Sequence, residues 1–198
     1  MKQNSENPFF GTYRTPFETP PFDQIETEHY EPAFDEGIRQ LDEEVRAIAD
    51  NAELPTFENT IVALERSGKL LDKVSSAFFN VLNAEADDEM MDISQRVSPK
   101  LSESSNNIYL NEKLFARVKS VYDQKEELHL PTEDARLLEE TFEAFSVRGA
   151  ALGPENKEKY RRLSSELSLL SLTFDQNALK DKNRYELLLT KEDELEGL

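Results

Sequence analysis

Between Pro154 and Asn183 the apolar residues Tyr160, Leu163, Leu167, Leu170 and Phe174 step by 3, 4, 3 and 4, the spacing that lines one face of an α-helix. Such a helix runs roughly 40 Å at about 1.5 Å per residue, the length of a small domain. Gly153 precedes it, Pro154 suits a first helical turn where no N–H is needed, and Glu155 meets the positive end of the helix dipole. A stripe of that length has to be covered, so the rest of the chain reads as material packed along it, with this helix as the spine.

The same periodicity recurs upstream. Phe34, Ile38, Leu41, Val45 and Ile48 mark a first helix, with Pro32 near its first turn. Thr56 is the expected N-cap of a second helix that starts with Phe57, Ile61 and Leu64, and Gly68 bends or interrupts it before Leu71, Val74, Phe78, Val81 and Leu82. A third follows Ala86 with Met90, Ile93, Val97, Leu101 and Ile108 on one face, and Pro99 is expected to kink or split it. Leu114 to Tyr122 makes a shorter fourth helix, Lys125 to Pro131 reads as a loop, and Thr132 is the expected N-cap of a fifth that turns Leu138, Phe142 and Phe145 inward. Short connections between such segments make an all-α antiparallel bundle of about six or seven helices.

Two ends depart from that pattern. Residues 1–26 hold Pro8, Pro16, Pro20 and Pro21 among Phe9, Phe10, Tyr13, Phe17 and Phe22. That proline density forbids a regular helix while the aromatics need cover, so an extended arm laid on the bundle (residues 27–183) is expected, with a partner-binding segment as the competing use. At the other end, residues 184–198 begin with Arg184-Tyr185-Glu186-Leu187-Leu188-Leu189-Thr190, which reads as a strand with no partner. A lone strand leaves its backbone groups unpaired, and the expectation is a truncated further region that starts here.

Charge and composition exclude several functions. The 198 residues carry 41 Asp plus Glu against 23 Lys plus Arg, a net charge of −18, spread along the chain. Nucleic acid is excluded as a partner, since phosphate neutralisation needs a basic face. The one basic cluster, Lys157, Lys159, Arg161 and Arg162, is interleaved with Glu155, Glu158 and Glu166 and reads as a solvated face with i,i+4 pairing. No stretch approaches the run of apolar residues that a membrane helix needs, and Met1-Lys2-Gln3-Asn4-Ser5-Glu6 is not followed by the apolar run of a secretory leader. The sequence has no cysteine, which rules out disulfides and thiolate chemistry and suits a cytoplasmic protein.

The residues that carry chemistry elsewhere are sparse. His29 and His129 stand alone, without the His-Glu-x-x-His spacing of a zinc helix, and read as surface or capping residues. Asp87-Asp88-Glu89, Glu126-Glu127 and Glu139-Glu140 lack the spacing of a calcium loop, and adjacent residues on a helix point apart. Phosphate-binding loops and the Gly-x-Ser-x-Gly elbow are missing. From its residues alone the chain describes a helical domain with no catalytic residue, no metal ligand and no assignable substrate contact.

Pro21-Phe22-Asp23-Gln24-Ile25, Glu28-His29-Tyr30 and Pro32-Ala33-Phe34-Asp35-Glu36-Gly37 nevertheless resemble the N-terminal signature of the thimet oligopeptidase and oligopeptidase A family of zinc metallopeptidases. Glu58-Asn59-Thr60-Ile61 through Gly68, Val74 to Asn80, and Asn107-Ile108-Tyr109-Leu110-Asn111 follow in the same order. Asn111-Glu112-Lys113-Leu114-Phe115-Ala116-Arg117 points to the branch that releases dipeptides from peptide C-termini. The resemblance covers essentially the whole chain.

It implies a large, mostly helical enzyme with two lobes around a narrow channel, and a His-Glu-x-x-His zinc site in the C-terminal lobe. None of those site residues is present here, so it assigns this chain no zinc of its own. It implies instead that the bundle is one wall of the channel, with the C-terminal catalytic lobe as its partner and short peptides reaching it through the assembled channel. A stand-alone helical interaction module is the alternative. Expressed alone, the chain is expected to expose apolar surface on the long helix and around Leu187 to Leu189.

Overall fold

The computed structural model describes residues 7–85, 87–186 and 188. Its helices are α1 (Tyr30–Ala49), α2 (a π-helical turn Phe57–Val62 that runs on into Ala63–Glu65), α3 (Lys69–Glu85), α4 (Asp88–Tyr109), α5 (Glu112–Tyr122), α6 (Lys125–Leu128), α7 (Thr132–Val147) and α8 (Pro154–Arg184). All of the regular structure among the described residues is helical, in line with an all-α bundle.

The central element is α1, which packs against α3, α4 and α5. Ala33, Phe34, Val45 and Ile48 are buried along one side of it. Gly37 lies at the crossing with α3, where a Cβ would come within 3.0 Å of the Leu71 Cα. Only the missing side chain lets the two backbones approach so closely. The core has two parts. Phe9, Tyr30, Phe34, Phe78 and Val97 fill one, with Tyr30 edge-on to Phe78 at 5.0 Å. Ile61, Leu114, Val118, Leu138 and Phe145 fill the other, and Leu41 of α1 packs against both.

Local signals explain most boundaries. Thr56 accepts from the Asn59 N–H, and the Asn59 side chain accepts from the Thr56 N–H, a reciprocal cap on α2. Gly68 takes a φ of 76°, which ends α2 and separates it from α3. Asp87 caps α4 and Asn111 caps α5. Pro99 does not split α4, which runs on to Tyr109. The carbonyl that proline leaves without its N–H partner belongs to Gln95, an exposed position where water can take it.

Four expectations are corrected. Lys125–Leu128 forms a short helix inside the segment read as a loop, closed by His129 in the left-handed conformation (φ 48°). Thr132 is the first residue of α7 and not its cap; Pro131 holds the capping position with extended backbone. The strand read from Arg184 is not borne out: Arg184 ends α8, no strand occurs among the described residues, and Leu187, Leu189 and Thr190 of that reading lie outside them. The fourth correction concerns the long helix itself. α1 is the spine, and α8 lies on the outside against α4.

The arm is pinned as expected over its first part. Phe9 is buried, Lys73 donates to the carbonyls of Phe9 and Gly11 at 3.0 and 2.7 Å, and its ammonium lies 3.7 Å from the centre of the Tyr13 ring. Burial lowers the Lys73 pKa and, with Tyr30 nearby, raises that of Tyr13 to about 12. Phe17, with a φ of 59°, is 99% exposed, so cover for the arm's aromatics stops short of it.

Candidate functional site

The residues singled out as possible chemistry are dispersed. His29 ends the 3-10 turn Thr27–His29 that leads into α1 and closes that turn's capping box, its Nδ1 accepting from the Glu26 N–H at 3.0 Å. His129 lies more than a helix away in sequence, at the end of α6. Asp87 caps α4 through the Met90 N–H, Glu139 pairs with Lys125 and Glu140 with Arg136. Among the described residues no three His, Cys, Asp or Glu side chains converge on a point that could hold a metal ion. The donor set therefore does not fit zinc. A cavity of about 590 Å³ between α1 and the α4–α5 corner is lined mostly by charged and amide side chains, with Val45, Ala49 and Ile108 among them. Across it Lys113 and Asp50 pair at 2.6 Å, which holds the Asp50 carboxyl below its usual range.

The feature that asks for a function is α8, because its polarity is inverted. A helix on the surface of a globular protein puts its apolar stripe inward. Here Leu163, Leu167, Leu170 and Phe174 point away from the bundle and are 49, 63, 61 and 71% exposed, with Leu169 beside them. The face turned to α4 is built mainly of polar groups, with Leu172 half-buried among them. Lys157, only 8% exposed, donates to the Leu110 carbonyl at 3.3 Å and to Glu112 at 3.0 Å. Arg161 donates to Asn107 Oδ1 at 2.9 Å, and Asn106 Nδ2 donates to Ser164 Oγ at 2.8 Å. Further along, the Gln176 side chain lies within hydrogen-bond distance of Gln95 and of Ser94.

The basic cluster is thus only partly the solvated face expected of it. Lys159 and Arg162 are exposed, while Lys157 and Arg161 fasten α8 to α4 and α5. The polar seam was missed in the sequence because periodicity was sought in the apolar residues alone. Its signal was present as Lys157, Arg161, Ser164, Ser168 and Gln176, on one side of the helix with Leu172 the apolar exception, facing the serine-rich stretch Ser94 to Ser105. Small side chains on two helices let them lie close together and bond directly.

No protein-family model matches the chain. Comparison with curated sequences does find relatives. The chain is 43% identical over 173 residues to a dipeptidyl carboxypeptidase of Escherichia coli (strain K12), a match that takes in 87% of the chain and 25% of the relative. A dipeptidyl carboxypeptidase of Salmonella typhimurium is 41% identical over 175 residues, 88% of the chain and 26% of the relative. Oligopeptidase A of Escherichia coli (strain K12) is 26% identical over 184 residues, 93% of the chain and 27% of the relative. The chain spans about a quarter of the length of the curated relatives it matches.

Proposed function

The chain belongs with the dipeptidyl carboxypeptidases and oligopeptidases A, and from that premise we propose that it is the N-terminal, non-catalytic helical lobe of a zinc peptidyl-dipeptidase. In this reading it forms one wall of the channel through which short peptides reach the active site, and the whole enzyme releases dipeptides from their C-termini. Zinc and the catalytic groups belong to the C-terminal lobe, the partner that this bundle packs against. The cysteine-free sequence suits a cytoplasmic enzyme.

The observation that carries the reading is the match to dipeptidyl carboxypeptidase, which runs through nearly all of this chain and stays within a quarter of the relative. The dispersed donors are in keeping with it, since the described residues bring together no set of three that could hold zinc. Incubation of the 198-residue chain with zinc and a blocked short peptide tests it. No cleavage is expected; release of dipeptides by the chain alone contradicts the reading.

A further inference from the structure

α8 holds to the bundle through its polar face and leaves its apolar face bare. Leu163, Leu167, Leu170 and Phe174 are spaced 4, 3 and 4 apart, so they form one continuous ridge of roughly 16 Å on a helix that rises about 1.5 Å per residue. That is the spacing of side chains that seat as knobs between the side chains of a facing helix. A continuous exposed apolar ridge of this kind is the mark of an interaction surface. The inner bonds of Lys157, Asn106 and Ser164 fix which way the helix faces, so the ridge cannot turn inward without breaking them.

Two observations identify what covers it. About three quarters of the length of the Escherichia coli dipeptidyl carboxypeptidase lies outside its match to this chain. A second copy of the chain is the other apolar surface at hand, but each copy carries a net charge of −18, and like charges of that size oppose self-association. We propose that the Leu163, Leu167, Leu170 and Phe174 ridge is the docking surface for a polypeptide corresponding to that remaining three quarters. The inference rests on the lobe reading above and adds to it the helix face that joins the two parts.

The test co-expresses the tagged chain with the part of the Escherichia coli enzyme outside the 173-residue match, and probes the purified complex by hydroxyl-radical footprinting. Oxidation of Leu163, Leu167, Leu170 and Phe174 is expected to fall several-fold against the chain alone. The double variant Leu167→Lys, Phe174→Lys is expected to keep the circular dichroism and melting behaviour of the parent, since both residues are exposed, and to lose co-purification. A complex whose ridge stays as reactive as before, and which the double variant still forms, overturns the docking surface and leaves the lobe reading standing. No complex with the unaltered chain overturns the lobe reading and the docking surface with it. A dimer of the chain alone that protects the ridge overturns the assigned partner.

Discussion

Asn106 and Ser164 face each other across the seam between α4 and α8, the Asn106 amide donating to the Ser164 hydroxyl at 2.8 Å, while Leu163 on the same helix turn faces outward. The pair decides which side of α8 the bundle owns. Asn106→Ala removes the bond and is expected to cost roughly 1–2 kcal/mol. Urea denaturation measures that loss, and hydrogen exchange should rise in α8 more than in α1, because only α8 is released.

Arg117 sits nearly buried on α5 and gathers a loop around itself. Its guanidinium donates to the carbonyls of Asn51 and Glu53 at 2.8 and 2.9 Å and to Asn59 Oδ1 at 3.0 Å. Arg117→Met is expected to lower stability by roughly 2–3 kcal/mol, the range for bonds to a charged donor. Arg117→Lys should recover little of it, since a single ammonium cannot reproduce the planar fork. Chemical denaturation of the two variants checks both expectations.

At the crossing of α1 and α3 the test is steric. Gly37→Ala would put its Cβ 3.0 Å from the Leu71 Cα and 3.1 Å from the Leu71 nitrogen, both backbone atoms that cannot rotate away. The helices must part instead, at a cost of roughly 1–3 kcal/mol. A drop in melting temperature is expected, together with lost packing around Phe34 and Phe78 in near-ultraviolet circular dichroism or aromatic side-chain NMR. An unchanged melt would show that the crossing is looser than described.

Glu36 supplies a pH signature. Hydrogen bonds from Arg39 and Gln40 hold its carboxyl at about 2, well below the ordinary 4.5. A group whose pKa is depressed on folding contributes stability that is fully present above its unfolded value and is lost as pH falls through its folded value. Glu36→Gln is therefore expected to melt below the parent near neutral pH, with the gap closing between about 4.5 and about 2. Melting curves across that window check it; a gap that widens on acidification contradicts the assignment.

Much of this fold was legible in the sequence, and the reason differs by element. Helix positions followed from apolar spacing, and the α2 boundary from Thr56 and Gly68, because those signals act within one turn of chain. Thr132 misled because Pro131, with no N–H and a fixed φ, could take the capping position one residue earlier. The largest miss was the direction of α8. Periodicity shows that Leu163, Leu167, Leu170 and Phe174 share a face, but which side of the helix the bundle occupies depends on bonds such as Lys157 to Leu110, made between residues far apart in the chain. Exposed apolar surface on the long helix was expected for the chain by itself, and that ridge is where it lies. The absence of a recognisable catalytic pattern and the spread of the histidines left the family resemblance as the only route to a function.

In the proposed function this bundle serves as one lobe of a peptidase whose catalytic groups lie in another. The most direct test of that role is a chimera in which this chain replaces the 173-residue matching segment of the Escherichia coli dipeptidyl carboxypeptidase, assayed by mass spectrometry for dipeptides released from the C-terminus of a short blocked peptide. The expected result is zinc-dependent release of dipeptides by the chimera, and none by either the chain or the remaining segment alone. A chimera that folds and binds zinc yet releases no dipeptide would contradict the account.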